Sequence, residues 1–575
     1  MRLVIDEKVK NAIFRNALKN AFDYGSAKEG AVISKVLFEF PALRSSMAEL
    51  KAEVSKAISL VNGMDRARLE DEYGSYKAGF DEAERKKAEE SKPKFIADGA
   101  TVGNFKTRFP PAPNGYMHIG HAKIAFLEQR LAEEYKGRLV LYFDDTDPEN
   151  ERQEFVDAFK RDLDWLGIRF DGEYYASDNV DKMYGYAAAA IRSGNAYVCT
   201  CSREKMKDGR MNSKECEHRS NSAERNAELW NAMLDGSLGE SGVLRLKGDM
   251  KSLNTVMRDP TLFRIKSQAH YRQGSRYTVW PTYDFNTPIM DSIMGITDTL
   301  RSKEYELRDE LYFRILDMLG LRKPRIHSVA RLEIKGNITS KRKLNAMVKE
   351  GLISGYDDPR LVTIAGLRNR GIEAAAIKEF ALRFGMSKAE SVMDIEMLLS
   401  YNRKLIDRQA KRLFAVEDPV DVSVEGFERR KVRLRLHPSE DIGYREYELG
   451  GRFLIDKADA SSLKEGDSIR LKEAVSAKVL SVSRGTVRCA EKEGGPDGSS
   501  KALQWVDADA ALRCRFIMLG NLVDDSEGFN KNSIEEHEGY VEGYAARLED
   551  GERVQLERKG FFRLRKGQVL SFTSL

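Results

Sequence analysis

Arg108-Phe-Pro-Pro-Ala-Pro-Asn-Gly-Tyr-Met-His-Ile-Gly-His-Ala-Lys123 decides how this chain is read. Only seven histidines occur in 575 residues, and two of them, His118 and His121, stand three apart after a Pro/Gly-rich turn. A helix-like run follows at 122–135. Side chains spaced i, i+3 share one helix face, so both imidazoles are expected to point the same way from a helix N-terminus. Free N–H groups and the helix dipole favour anions there. The arrangement suits a nucleotide triphosphate, with Gly120 allowing a phosphate to approach closely.

Working outward, strand-like and helix-like pieces alternate from about 100 to 320. Residues 101–109 read as extended, 119–135 as helical, 138–143 (Arg-Leu-Val-Leu-Tyr-Phe) as a buried strand and 152–166 as helical. Such alternation predicts a parallel sheet with its ligand site at the strands' carboxyl ends, where His118 and Asp144 both fall. Residues 1 to about 95 read as helical, with apolar positions at helical spacing through Val9, Ile13, Leu18 and through Leu50, Val54, Ile58. They close on a charge-dense run at 81–90 that reads as a solvated helix or linker. Residues 340–410 are helical again. Beyond about 415 short alternating strands appear, separated by turn signals such as Gly-Gly-Pro-Asp-Gly at 494–498. That pattern predicts an all-β barrel region.

Composition sets wide bounds. At 575 residues several domains are expected, at roughly 150 residues each. The net charge of +4 allows a nucleic-acid partner met through local basic patches without demanding one. No apolar stretch approaches the roughly 18 residues that span a bilayer, and the start lacks a signal-peptide core. Five cysteines, three of them bunched between Cys199 and Cys216, argue against a disulfide framework. A cytoplasmic multidomain protein is expected. Cys199-x-Cys201 followed by Cys216-x-His218 offers four ligands of the kind tetrahedral zinc takes, filling a structural site; the plainer reading is three buried thiols and a surface histidine. Cys489 and Cys514 read as core.

The run Arg108–Lys123 resembles the first signature of class I aminoacyl-tRNA synthetases, specifically the glutamyl/glutaminyl subgroup, and three further segments agree in the family's order. Leu141-Tyr-Phe-Asp-Asp-Thr-Asp-Pro-Glu149 carries the position, Asp144, that the resemblance assigns to the substrate α-amino group. In Tyr283-Asp-Phe-Asn-Thr-Pro-Ile-Met-Asp-Ser-Ile-Met-Gly-Ile-Thr-Asp-Thr-Leu-Arg301, Tyr283 matches a residue lining the amino-acid pocket. Arg301 matches a position that is arginine in glutamyl enzymes and small and neutral in glutaminyl ones. A guanidinium pairs with a side-chain carboxylate, and an amide would leave its charge uncompensated, so glutamate is favoured. Arg108 is the second cation expected near that carboxylate. Ile338-Thr-Ser-Lys-Arg-Lys-Leu344 resembles the Lys-Met-Ser-Lys-Ser loop. Lys341 matches its second lysine; the first is replaced by Ile338, and Thr339 stands where Met or Leu is usual.

The resemblance implies a Rossmann-type catalytic domain at 96–330 with an acceptor-binding insertion at about 195–275. A helical N-terminal extension at 1–95 precedes it. A signature loop and helical connecting region at 331–412 and paired β-barrel anticodon-binding domains at 413–575 follow. It implies ATP-dependent activation of L-glutamate and its transfer to tRNA(Glu), with Mg²⁺ accompanying ATP. His118, His121 and Lys341 would stabilise charge; Pro111, Gly120 and Ser340 would help bind ATP. A monomer without a membrane partner is expected, and tRNA(Gln) as a further acceptor stays open. The competing readings are a glutaminyl enzyme, disfavoured by Arg301, and a catalytically silent tRNA-binding or scaffold protein. A smaller paralogue acting on a tRNA base would lack the β region.

Overall fold

The computed structural model describes residues 6–66, 68–77, 95–239, 241–483, 485–492, 500–524, 526, 528–565 and 569–574. The charge run at 81–90 and the turn at 494–498 lie outside the described residues. The chain divides into two compact units, Met1–Lys92 and Pro93–Leu575. The described residues of the first include the helices Glu7–Tyr24, Glu29–Glu39 and Met47–Asn62 and a further helical stretch at 68–77, around a core with Ile13, Leu18, Val32, Leu50 and Val54. Asp6 starts the first helix by accepting from Val9 N (2.9 Å), and Gly25 ends it at φ 79°, where only glycine is unstrained.

In the second unit, strands β1 (Lys106–Phe109), β2 (Arg138–Phe143) and β3 (Glu173–Tyr175) form a parallel sheet in the order 1-2-3. The signature helix, Ile119–Glu134, crosses between β1 and β2, and the helix Gln153–Trp165 between β2 and β3. Both bury one apolar face in a core with Phe126, Leu131, Phe143, Phe159 and Leu163.

The parallel reading does not extend over the whole of 100–320. Four strands, β4 (Ala196–Cys199), β5 (Val243–Leu246), β6 (Thr261–Ile265) and β7 (Val279–Pro281), make a separate antiparallel sheet in sequence order. Its core of Trp230, Leu244 and Phe263 runs on into Phe285 and Ile289. The parallel theme resumes with β8 (Asp298–Ser302) paired to β9 (Arg325–Val329). Thr297, just before β8, joins this pair to β1, its N–H donating to Lys106 O (2.8 Å) and its Oγ1 accepting from Lys106 N (2.8 Å). Strand alternation alone cannot separate these sheets, because a hairpin and a crossover connection look alike over 4-residue strands.

Helices Lys341–Lys349, Ile364–Arg370, Ala374–Leu382 and Ile395–Ile406 follow. One short strand interrupts them, Ser391–Met393, pairing in parallel with Leu332–Ile334. The rest is β. Strands Lys411–Leu413 and Ala415–Glu417 form the two edges of a seven-stranded sheet whose interior comes from 512–574. Between them in sequence, 419–507 builds a second seven-stranded sheet, so this module is inserted into the other. Each covers its own apolar core, one around Trp505 and Phe453, the other around Phe516 and Phe562. Among the described residues no helix is long and apolar enough to cross a membrane.

Candidate active site

The Pro/Gly-rich turn leaves β1 and delivers His118 to the N-cap of the signature helix. His118 Nδ1 accepts from Gly120 N (3.1 Å), and His121 Nδ1 accepts from His118 N (3.3 Å). The two rings stack with centroids 3.8 Å apart. A neutral imidazole that accepts at Nδ1 carries its proton on Nε2, so both rings present an N–H donor outward. Burial holds both in that neutral form, pushing His118 down to about 4 and His121 well below its ordinary value. Gly120 is required by this cap. A Cβ there would meet His118 Cε1 at 2.9 Å, so its first task is to admit the histidine ring.

Opposite lies Lys341, the first residue of the helix Lys341–Lys349. A cation there opposes the helix dipole, a placement that an incoming anion relieves. Burial lowers the lysine's pKa, and its Nζ rests 5.4 Å above the Phe155 ring. His118, His121 and Lys341 line one cavity of about 170 Å³ with Asn114, Tyr116 and Tyr356. Ser340 is the N-cap of its helix but makes no side-chain cap bond, and it does not line that cavity.

Ile338, where the resembled motif has lysine, is buried with Leu344, Met347, Leu522 and Val523. The hairpin turn carrying Leu522 and Val523 lies against the loop, with Val523 N donating to Gly336 O (3.1 Å). Ile338 also lines the cavity of His118, His121 and Lys341, so a lysine at 338 would give up this apolar packing for the cavity.

The second half of the site begins at the end of β2. Asp144 N donates to Pro111 O (3.1 Å), tying the two strand ends together. Asp144 Oδ1 accepts from Asn286 Nδ2 (2.6 Å), and burial raises its pKa to about 6 against that bond. Asp145 is engaged elsewhere, accepting from Ser177 N (2.8 Å), Ser177 Oγ (2.7 Å) and Tyr271 Oη (2.8 Å). Of the paired acids only Asp144 faces Asn286 and Tyr283's helix, and Asp145 braces the loop.

Arg301 is 5% exposed. Its Nη1 pairs with Asp309 Oδ1 (2.7 Å) and its Nη2 donates to Tyr283 Oη (3.2 Å). Arg108 is 1% exposed and engaged with Asp291 through Nε (2.7 Å) and Nη2 (3.3 Å), with Nη1 donating to Leu300 O (3.3 Å). Glu128 lies 3.9 Å away, its pKa raised to about 8 by burial. Arg108 is therefore the centre of a buried ion network, and most of its donors are taken.

Four partners were not singled out from the sequence. Asn286 and Asp291 lie inside the stretch 283–301, on the helix Tyr283–Ile293, where their turn and helix neighbours mask them as ordinary polar positions. Glu128 is an acid among the mostly apolar buried positions of the signature helix, where Lys123 is the other charged one, a period violation that marks a buried partner. Asp309 carries no local signal.

A third constellation lies in the β4 region. Cys201 Sγ is 3.3 Å from Cys216 Sγ and 3.4 Å from His218 Nδ1; Cys216 Sγ is 3.7 Å from Cys199 Sγ and 3.2 Å from His218 Nδ1. All four ligand atoms lie within 4.8 Å of one another. Tetrahedral zinc with bonds of about 2.0–2.3 Å gives edges of about 3.4–3.8 Å, close to this set. His218 Nε2 lies 3.1 Å from Thr200 Oγ1, a contact that orients Nδ1 toward the thiols.

Residues 104–408 match the catalytic domain of class I tRNA synthetases (E and Q), and 410–492 and 502–565 match the two anti-codon binding domains of the same class. The glutamate–tRNA ligase of Nitrosopumilus maritimus (strain SCM1) is 38% identical over 562 residues, 97% of this chain and 98% of that one. The glutamate–tRNA ligase of Cenarchaeum symbiosum (strain A) is 38% identical over 559 residues, with the same two coverages. That of Pyrococcus furiosus is 35% identical over 576 residues, 97% of this chain and 98% of that one.

Proposed function

The chain belongs to the class I tRNA synthetases of the E and Q group, and we infer from that premise that it is a glutamate–tRNA ligase. It activates L-glutamate with ATP, accompanied by Mg²⁺, and transfers the glutamyl group to tRNA. The glutamate α-carboxylate attacks the α-phosphorus of ATP and pyrophosphate leaves. The terminal ribose hydroxyl of tRNA(Glu) then attacks the acyl carbon of the mixed anhydride, losing its proton and forming the glutamyl ester as AMP leaves.

The protein's part is positioning and charge stabilisation. His118 and His121 donate from Nε2 to phosphate oxygens, and Lys341 adds a full charge as pyrophosphate departs. Pro111 and Gly120 shape the turn beneath the nucleotide, and Ser340 presents Lys341. Asp144 holds the α-ammonium, with Asn286 keeping its carboxylate ionised. Arg301 and Tyr283 take the side-chain carboxylate, and Arg108 with Asp291 supports the floor. The observation that carries this reading is the cavity shared by His118, His121 and Lys341, one backbone hydrogen bond away from the strand end bearing Asp144.

We further propose that 1–95 is a helical extension and 96–330 the catalytic domain, with 195–275 as its acceptor-binding insertion. Residues 331–412 connect it to 413–575, two barrels that read the anticodon. Cys199, Cys201, Cys216 and His218 would hold zinc as a structural ion that fixes the loop after β4, and no step of the reaction passes through it. The protein acts as a cytoplasmic monomer, and tRNA(Gln) is a second acceptor to be tested beside tRNA(Glu).

Incubation with ATP, labelled glutamate and total tRNA should give acid-precipitable glutamyl-tRNA that disappears without ATP. Tight tRNA binding with no charging would instead establish the silent scaffold, and charging with glutamine alone the glutaminyl reading.

A further inference from the structure

Arg301 is buried among three rings, with its guanidinium carbon 5.8 Å from the Tyr283 centroid, 5.7 Å from Tyr305 and 5.1 Å from Tyr312. Aromatic faces attract a cation but do not fix the rotation of its plane. That plane is fixed by one strong contact, Nη1 to Asp309 Oδ1 at 2.7 Å. On the other side, Nη2 reaches Tyr283 Oη and Nε has no partner although it is buried. A buried donor left unpaired costs free energy, so this Nε–H is expected to meet an acceptor that enters the site.

The Nε–H and one Nη2–H of a guanidinium lie parallel along one edge, the edge that takes a carboxylate in a two-pronged contact. Asp309 occupies the opposite end and leaves that edge with one partner only, Tyr283 Oη at Nη2, and with Nε–H open. Asp309 is the first residue of the helix Asp309–Leu319, where a carboxylate is favoured by the dipole, and its neighbour Arg308 is paired with Asp284.

We propose that Asp309 is a positioning residue for amino-acid specificity, setting the plane of Arg301 so that its Nε–Nη2 edge receives the substrate's side-chain carboxylate. This rests on the glutamate pocket proposed above.

The test measures charging kinetics with glutamate for the full-length protein and for Asp309→Asn, with melting temperature as a check on folding. Asparagine keeps the size and the helix start but removes the charge that grips Nη1. KM for glutamate should rise at least about tenfold, with kcat and KM for ATP within about threefold, because only ground-state and transition-state binding of one substrate group is lost equally. Asp309→Glu, which restores the charge on a longer arm, should recover part of that loss. An unchanged or lower KM for glutamate in Asp309→Asn would overturn the proposal, as would equal losses in KM for ATP. If Asp309→Asn does not fold, the Asp309→Glu protein decides alone. A KM above the unmodified protein's with kcat kept supports the proposal, and an unchanged KM sinks it. Absence of glutamate charging by the unmodified protein would count against the ligase reading, not against the role of Asp309 within it.

Discussion

The two halves of the site bind charge in opposite ways. On the side proposed for the triphosphate, two neutral histidines that cap their own helix start offer dipolar donors, and a single lysine at a second helix start adds one full charge. The side proposed for the amino acid is built on ionisable groups held by buried partners: Arg108 is paired with Asp291, Arg301 with Asp309, and Asp144 accepts a hydrogen bond from the neutral Asn286. A triphosphate brings several charges of its own and must also leave as pyrophosphate, so fixed dipoles stabilise it without trapping it. A single carboxylate must be told from an amide of the same shape. That distinction needs a buried cation, and a buried cation needs a counter-charge.

If the contrast is right, breaking the amino-acid side should cost most. Arg301→Ala should lower kcat/KM for glutamate by about 10³-fold, since a desolvated carboxylate loses its partner, with KM for ATP little changed. Equal losses toward both substrates would mean that the pocket collapsed. On the triphosphate side, Lys341→Ala should slow ATP–pyrophosphate exchange by about 10²-fold while KM for glutamate stays put.

The pH profile separates the halves further. Asp144 must be ionised to hold an ammonium, and burial raises its pKa to about 6, so kcat/KM for glutamate should fall as pH drops through about 6. Asn286→Ala removes a hydrogen bond that favours the ionised form, so this acid limb should move to higher pH. The histidines add no limb between pH 5 and 8, because burial already keeps them neutral there. A limb that stays in place in Asn286→Ala would detach Asp144 from it. The smallest effect is expected far from both halves. Cys216→Ser should abolish the binding of about one zinc per chain and lower the melting temperature by a few degrees, with kcat for glutamate charging nearly unchanged.

The same contrast decides what could be read in the sequence. The triphosphate side is local: His118, Gly120 and His121 form a cap within four residues, and a helix start writes its own signature. β2 likewise reads true, because a run of six residues carrying Val140, Tyr142 and Phe143 has the length and residue types of a buried strand and is too short for a buried helix. The partners of the other side are less local: Asp309 stands eight residues after Arg301, beyond any helix or strand period, and the others lie much farther off. Asp291 meets Arg108 across 183 positions and Asn286 meets Asp144 across 142, and no periodicity links such pairs. Family resemblance supplied Arg301 and Asp144 but not the groups that hold them. It also gave Gly120 to the phosphate, where the structure gives it first to the His118 ring. The missing motif lysine at 338 became intelligible only with Leu522 and Val523 packed against it from the β region.

Arg301, its plane fixed by Asp309 and its Nε–H open, would select a carboxylate over an amide. The most direct measurement is the ratio of kcat/KM for glutamate to that for glutamine, taken for the unmodified protein with saturating ATP and tRNA. The ratio should favour glutamate by at least about 10³, the discrimination expected where the wrong ligand leaves a buried charge unpaired. A ratio near one, or a preference for glutamine, would contradict the assignment.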